Sequence, residues 1–206
     1  MGNKIEINQS LQEKYNLHFQ ERYKEFGENI KTLWGGVESQ RQRFDVLLTI
    51  GNMSGKSILD VGCGFGDLYD EIRRRKYKSF KYTGLDINQA IIEIAKNRYP
   101  NISFQYRDIL KDNKIARYDY AVASGIFFLP DERWESYMIQ MVNRMFSISK
   151  IGVGVNFLSS FSTKKDGFSY YAHPSFILSM IMKNITSKTV LKHDYRLNDF
   201  TIFLYK

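Results

Sequence analysis

The strongest constraint on this chain is a regular alternation of short apolar runs with amphipathic segments between residues 56 and 160. An apolar run of four to eight residues is typical of a buried strand, and apolar residues at three-and-four spacing are typical of a helix. Strands joined through helices form parallel pairs, so the pattern predicts an α/β fold with helices on both faces of the sheet. The predicted strands cover 56–62, 81–87, 102–109, 118–127 and 151–160, and the predicted intervening helices cover 67–75, 89–98 and 131–147.

The end of the chain departs from this alternation. Two further strand-like segments, "SKTVLKHDY" and "DFTIFLYK", are separated only by "RLN". So short a connection cannot carry a parallel crossover, and the two segments are therefore predicted to pair as an antiparallel hairpin. The expected sheet has seven strands and is mostly parallel, with the last strand reversed.

Helical spacing also marks the beginning of the chain. Residues 9–27 and 39–50 are predicted helices, separated by the glycine pair of "WGGVESQ". The length of 206 residues, with 43% hydrophobic residues, suits one domain with a sizeable core. No linker or repeat indicates a boundary.

Composition excludes several classes of protein. No apolar run approaches the roughly 18 residues that a membrane-spanning helix needs, and the first residues do not resemble a signal peptide. The single cysteine, Cys63, excludes an internal disulfide and a cysteine-based zinc site. We therefore expect a cytoplasmic protein without a structural metal.

The net charge of +8 raises the question of a nucleic-acid partner. Six cationic side chains lie within residues 73–81, and the net charge without them is only +2. They are typical of a solvated helix end, where cations complement the helix dipole. The alternative is a patch that contacts the phosphates of an RNA substrate.

The most informative motif is "ILDVGCGFGD", in which three glycines follow a predicted strand at alternate positions. A turn of this kind at the carboxyl end of a parallel strand is a common ligand site. Dinucleotide fingerprints separate the last two glycines by two residues, whereas Gly64 and Gly66 are separated by one. Asp60, two positions before Gly62, suits a ligand whose nearby group is an ammonium rather than a pyrophosphate.

With these residues the chain resembles the class I S-adenosylmethionine-dependent methyltransferases, whose first motif is acid-x-Gly-x-Gly-x-Gly. The resemblance covers about residues 55–206 and implies S-adenosylmethionine as cofactor. It further implies that Asp86 binds the ribose, that Asp108 accepts the adenine amino group, and that Ser124 lines the methyl-transfer channel. The complete set of cofactor-binding residues that it implies is Asp60, Gly62, Cys63, Gly64, Gly66, Asp86, Ile87, Asp108, Ile109, Ser124 and Gly125.

The resemblance also carries expectations about architecture. It implies a Rossmann-like core over residues 55–206 with strand order 3-2-1-4-5-7-6. Residues 1–54 then correspond to the helical cap that members of this family add over the substrate.

The methyl acceptor is harder to predict. The position after the fourth strand reads "SGIFFLP", which lacks the Asn/Asp-Pro-Pro-aromatic motif of methyltransferases that act on exocyclic amines. The segment instead resembles the small-molecule branch of the family, although it lacks the histidine often found there. The catalytic base stays unassigned, and His18 is interpreted as a packed residue. The candidates for facing the substrate are Trp34, Gln40, Tyr170, Tyr171 and His173.

The leading hypothesis is a methyltransferase that acts on a small molecule. An RNA methyltransferase that uses residues 73–81 is the alternative within the same class. A non-catalytic protein that binds S-adenosylmethionine is the alternative from a different class.

Overall fold

Within residues 11–196 and 198–206, the parts of the chain that the computed structural model describes, seven strands form one sheet flanked by helices. The strands are β1 (Ser57–Val61), β2 (Lys81–Asp86), β3 (Ser103–Tyr106), β4 (Tyr118–Ala123), β5 (Ser149–Leu158), β6 (Thr189–Lys192) and β7 (Asp199–Tyr205). The α-helices are α1 (Leu11–Phe26), α2 (Val37–Leu47), α3 (Asp67–Arg74), α4 (Gln89–Arg98), α5 (Trp134–Ile148) and α6 (Pro174–Asn184). Short 3₁₀ turns at Ile30–Thr32 and Leu48–Ile50 adjoin α2 on either side.

The strand order is β3-β2-β1-β4-β5-β7-β6, which confirms the predicted topology. β1 pairs in parallel with β2 and β4, and β7 runs antiparallel to both β5 and β6. The carboxyl ends of β1, β2 and β4 therefore meet at one edge of the sheet. A ligand site is expected at this edge, where the strand order reverses.

Alternate residues of the strands feed two apolar layers, as the pleat of a strand requires. Leu59 of β1 and Met138 of α5 belong to the layer that also includes α6. Ile58 and Ile72 belong to the opposite layer, together with residues of α2 and α4. Both faces of the sheet are thus buried, and each fully buried aliphatic side chain contributes about 1.5–3 kcal/mol.

The structure differs from the prediction at some strand ends. β4 ends at Ala123 rather than continuing to residue 127, because Gly125 takes a left-handed conformation with φ of +76°. β5 begins two residues earlier than predicted, directly after α5. Residues 9 and 10 of the first predicted helix lie outside the described residues.

The cationic stretch lies between the end of α3 and the start of β2, at the opposite end of α3 from the glycine turn. α3 starts at Asp67, just after the glycine turn, and carries the chain back toward the start of β2. Its last arginines form ion pairs within the helix, which include Arg73 with Asp70 at 2.8 Å. Among the described helices, none combines the length and the hydropathy needed to cross a membrane.

Candidate active site

The glycine turn after β1 opens a cavity at the carboxyl edge of the sheet. Gly62, Gly64 and Gly66 have φ of +72°, +55° and +85°, a region that residues with a Cβ rarely adopt. A Cβ on Gly62 would overlap the side chain of Ile126, and one on Gly64 would lie 2.7 Å from Leu33. The turn therefore needs glycine for both its conformation and the space above it.

Asp60 lies at the base of this cavity and is 3% exposed. The Tyr82 hydroxyl donates a hydrogen bond of 2.6 Å to Oδ2 of Asp60. Burial raises the pKa of Asp60 to about 7, against the opposing effect of the Tyr82 hydrogen bond. Asp60 is thus a carboxyl group that a nearby cation would convert to its charged form.

Asp86 lies at the end of β2, beside the glycine turn. Its two oxygens accept backbone hydrogen bonds from Gly64 at 3.2 Å and from Asn88 at 3.0 Å. Burial raises the pKa of Asp86 to about 6, although these backbone hydrogen bonds lower it. Each oxygen retains a lone pair, so the carboxylate can accept two further donors from a ligand.

Ser124 and Gly125 form the turn after β4 at the same cavity. Asn156 of β5 donates to the Ser124 hydroxyl at 2.7 Å and accepts from the Gly125 amide at 3.0 Å. Asn156 is buried, and this double contact fixes the turn. Asn156 could not be predicted as a site residue, because a polar residue inside a predicted apolar strand was its only signal.

Comparison with known proteins relates these features to a family. The sequence model of a methyltransferase domain matches residues 58–146, the segment that contains the glycine turn, Asp86 and Ser124. A Mycobacterium tuberculosis protein, Rv1506c, provisionally named a methyltransferase, is 32% identical over 157 residues, which cover 73% of this chain and 93% of that protein. This chain belongs to the methyltransferase family.

Solved methyltransferase structures share the fold. Magnesium protoporphyrin IX methyltransferase from Synechocystis, with bound S-adenosylmethionine, superposes with a TM-score of 0.66 at 14% identity, covering 95% of this chain and 94% of that chain. The N-methyltransferase NodS from Bradyrhizobium japonicum, in complex with S-adenosylhomocysteine, gives a TM-score of 0.66 at 16% identity, covering 92% and 98%. At this identity the likeness concerns the fold alone.

The remaining predicted cofactor residues of the methyltransferase divide into two groups. Cys63, Ile87 and Ile109 line the cavity, whereas Gly66 and Asp108 do not. Asp108 accepts from the Leu110 amide at 2.9 Å and lies 3.4 Å from Nζ of Lys111. Burial raises the pKa of the Cys63 thiol, which is therefore neutral at physiological pH.

The first helix of the methyltransferase lies across the cavity. Asn16 accepts from Asn88 at 3.0 Å, Lys14 forms a 2.7 Å ion pair with Asp131, and the Tyr15 hydroxyl donates to the Ile126 carbonyl. α1 thereby contacts the loops after both β2 and β4. Tyr15, Asn16, His18 and Phe19 all contribute to the cavity lining.

Of the two substrate-facing residues predicted in the cap, Trp34 and Gln40, only Trp34 lines the cavity. Trp34 lines the cavity and lies against Gly125. Gln40 is buried outside the lining, where it donates a 2.7 Å hydrogen bond to Asp67 and so connects α2 to the start of α3.

The three candidates after β5 lie outside this lining. The ring of Tyr170 packs on Trp134, with centroids 4.1 Å apart. The Tyr171 hydroxyl accepts from the Asp166 amide at 2.9 Å, and Nδ1 of His173 pairs with the Ser175 hydroxyl at 2.9 Å. Each side chain thus has a local structural contact, and a substrate role stays a prediction.

A second cavity of about 450 Å³ adjoins the first. Both linings include His18, Trp34, Gly125 and Phe128. In the described parts of the methyltransferase, no three His, Cys, Asp or Glu side chains are grouped so that they could hold a metal ion. The site therefore consists of two adjoining cavities whose common wall carries one histidine.

Proposed function

We propose that this methyltransferase binds S-adenosylmethionine in the cavity beside the glycine turn and transfers its methyl group to a small molecule. The observation that carries the proposal is the convergence of Asp60, Asp86 and the glycine turn on one cavity. The curated relative and the family match support the reaction class.

The chemistry of the lining fits this cofactor. Asp60 can pair with the ammonium of the methionine moiety, and Asp86 can accept the two ribose hydroxyls as a bidentate acceptor. Ile87 and Ile109 supply apolar surface for the adenine ring. The left-handed glycines let the backbone approach the ligand without an intervening Cβ.

The predicted residues outside this lining keep supporting roles in the proposal. Gly66 lets α3 begin directly after the turn, and Asp108 orders the loop that carries Ile109 through its bond to the Leu110 amide. Cys63 contributes its backbone, because burial keeps the thiol neutral.

When bound, S-adenosylmethionine supplies a methyl group on a positively charged sulfur, which is already a strong electrophile. The protein then has to position the acceptor in line with that methyl and to exclude water. α1 covers the cavity, and the turn of Ser124 and Gly125, fixed by Asn156, forms its floor. We propose that residues 1–54 act as the cap and residues 55–206 as the core of a single domain.

A small acceptor accounts for the geometry better than RNA. The cavity lies under α1, whereas the cationic residues 73–81 follow the end of α3, away from the carboxyl edge. Arg73 and Arg74 are paired with Asp70, which leaves less of their charge for phosphates. A cytoplasmic location, which the single buried cysteine suggests, stays a prediction.

Calorimetry with S-adenosylhomocysteine and S-adenosylmethionine tests the proposal. We expect both to bind, and Asp86→Ala to weaken binding at least about a hundredfold through loss of a charged hydrogen-bond acceptor. Asp45→Ala is the matched control, because Asp45 is 59% exposed on α2. Failure of the native protein to bind either compound, or binding of NAD instead, contradicts the proposal.

A second measurement separates enzyme from binding protein. Transfer of isotopically labelled methyl groups is measured with mixtures of small metabolites and, separately, with total RNA. We expect label in a small molecule. Cofactor binding without transfer to any acceptor supports the non-catalytic alternative, and label in RNA supports the RNA alternative.

A further inference from the structure

Five aromatic rings contribute to the lining of the second cavity, beside several polar and charged side chains. Rings of the cap, of the segment after β4, of β5 and of the loop after β5 surround it. Those rings belong to Trp34, Phe127, Phe128, Phe157 and Phe168. Aromatic side chains offer flat apolar surfaces that favour other rings in offset or edge-to-face contact, so the walls suit a planar ligand.

His18 occupies the boundary between the two cavities, because it lines both. Its ring stacks on Phe168 at 5.0 Å with an interplanar angle of 13° and tilts against Phe128 at 5.2 Å. Within the described parts of the chain, no hydrogen bond engages its ring nitrogens. Burial, with a further effect of Arg22, lowers the pKa of His18, so the neutral imidazole can accept a proton.

Arg43 brings positive charge to the lining of the second cavity. Its side chain is 15% exposed and forms a 2.8 Å ion pair with Asp199. Arg196 pairs with the same carboxylate at 3.3 Å, so two guanidinium groups share one buried acid. Nε of Arg43 and Oδ2 of Asp199 both have no hydrogen-bond partner among the described residues.

The other carboxylate of the lining does not offset this charge. Asp166 is exposed, and its oxygens accept from the backbone amides of Phe168 and Ser169 and from the Ser169 hydroxyl. On the buried side, Arg43, Arg196 and Asp199 together carry a net charge of +1, although Arg196 itself does not line the cavity. Guanidinium groups recognise carboxylates and similar planar anions through paired hydrogen bonds.

We propose that the second cavity is the acceptor site and takes a planar aromatic compound with a nucleophilic hydroxyl facing His18 and an anionic substituent facing Arg43. The inference rests on the proposed function, since it places the methyl donor in the adjoining cavity. It assigns His18 a catalytic role that the sequence analysis did not predict.

In the proposed reaction the acceptor is methylated on its hydroxyl oxygen. The acceptor hydroxyl gives its proton to the His18 imidazole, and the electron pair of its oxygen forms the new bond to the methyl carbon. The electrons of the carbon–sulfur bond stay on sulfur, which yields S-adenosylhomocysteine and a methyl ether. The imidazolium then releases its proton to water.

Ligand binding tests the site without requiring turnover. The probes are 6-hydroxy-2-naphthoate, its neutral carboxamide and its saturated, non-planar analogue 6-hydroxydecahydronaphthalene-2-carboxylate, each titrated with and without saturating S-adenosylhomocysteine. We expect the naphthoate to bind at least about tenfold more tightly than the other two, since each lacks one of the two recognition features. Equal binding of all three, or no binding, overturns the proposal.

Three variants locate the bound probe. Ser39 lines the second cavity and not the first, so Ser39→Phe should block naphthoate binding while S-adenosylhomocysteine binding is retained. Arg43→Gln should remove the preference for the acid over the amide, and Arg43→Lys should restore part of it. Unchanged naphthoate binding in both Ser39→Phe and Arg43→Gln contradicts this location.

The rate of methyl transfer to phenols of different acidity distinguishes a catalytic role of His18 from a structural one. We expect His18→Gln to slow methyl transfer at least about a hundredfold while the naphthoate dissociation constant stays within about threefold. The defect should shrink for a ring-fluorinated phenol, because a more acidic hydroxyl needs less help from a base. An equal loss for both phenols contradicts the catalytic role.

The two levels of inference fail separately. Binding of S-adenosylhomocysteine without binding of the naphthoate overturns the acceptor site and leaves the proposed function intact. Naphthoate binding without any binding of S-adenosylhomocysteine or S-adenosylmethionine contradicts the proposed function and with it the methyl-acceptor role.

Discussion

The side-chain amide of Asn156, on β5, donates a 2.7 Å hydrogen bond to the hydroxyl of Ser124, which follows the neighbouring parallel strand β4. The same side chain accepts from the Gly125 amide, so one buried amide satisfies a donor and an acceptor of the turn. The turn after β4 is therefore positioned by its neighbouring strand as well as by its own backbone. This arrangement keeps the floor of the cavity rigid beneath α1.

Replacement of Asn156 by leucine is expected to destabilise the fold by about 2–3 kcal/mol, because it removes the partners of the buried Ser124 hydroxyl and the half-buried Gly125 amide. Urea denaturation measures the loss. Asn184→Leu is the matched control, since Asn184 is exposed at the end of α6 and should change stability by less than about 0.5 kcal/mol. Similar stability of the two variants contradicts the role assigned to Asn156.

The affinity for S-adenosylhomocysteine should depend on pH through Asp60. The pKa of Asp60 is about 7, and only the ionised carboxylate attracts the ligand ammonium. We therefore expect binding about tenfold weaker at pH 6 than at pH 8, as measured by calorimetry. Asp60→Asn should remove most of this dependence, although Asp86, whose pKa is about 6, contributes at lower pH.

The stability of the ligand-free protein should depend on pH in the opposite direction to the ligand affinity. The pKa of Asp60 in the folded state is above its unfolded value of about 3.9, so folding favours the protonated form. The contribution of Asp60 to the stability of the ligand-free protein is complete below about pH 4 and is lost as the pH rises through 7.

Tyr82 offers a finer test of the same carboxyl group. Its hydrogen bond lowers the pKa of Asp60, so Tyr82→Phe should move the midpoint of the pH dependence upward. Tyr69→Phe is the control, because the Tyr69 ring packs on Tyr82 without a hydrogen bond to Asp60. A shift of equal size in both variants would point to altered packing instead.

Gly62→Ala should damage both the fold and the site. The new Cβ would overlap Ile126 at a φ of +72°, which predicts a loss of about 1–3 kcal/mol. S-adenosylhomocysteine binding should weaken as the turn shifts. Gly167→Ala is the control, because its Cβ would meet no atom within 4 Å, and a change within about 0.5 kcal/mol is expected.

The cap should loosen when its polar contacts are removed. A double variant, Lys14→Met with Asn16→Ala, breaks the contacts of α1 to Asp131 and Asn88. We expect faster hydrogen exchange over residues 11–26 and a several-fold faster release of S-adenosylhomocysteine, because local opening needs less free energy. Gln20→Ala, at an exposed position of α1, should change neither rate.

Much of the fold could be predicted because its signals are local. The spacing of apolar residues predicted the helices and strands, and the short connection at "RLN" predicted the final hairpin. β6 ends at Lys192, three residues earlier than predicted, so the connection to β7 is longer than "RLN". Residues at or just after the carboxyl ends of strands were also predictable as a group, since parallel strands end at one edge. Asp60, Asp86 and Ser124 reached one cavity for this reason.

Contacts between segments that are distant in the sequence could not be predicted from local patterns. His18 was interpreted as packed, and it does pack on Phe168, yet the same packing also places it between two cavities. Tyr171 was a candidate for facing the substrate, but its hydroxyl bonds within its own loop. Nothing in either local pattern distinguishes these outcomes.

The sequence by itself determined the alternation of strands and helices, the closing hairpin, the glycine turn and the acids at the ends of β1 and β2, because periodicity, chain reach and backbone sterics act over a few residues. The strand order came from the resemblance to the methyltransferase family. Only the tertiary structure decided that α1 covers the cavity, that Asn156 holds Ser124, and that His18 and Arg43 line one aromatic cavity. Those contacts depend on which helix faces pack together, and that choice is made by the burial of the whole core rather than by any single segment.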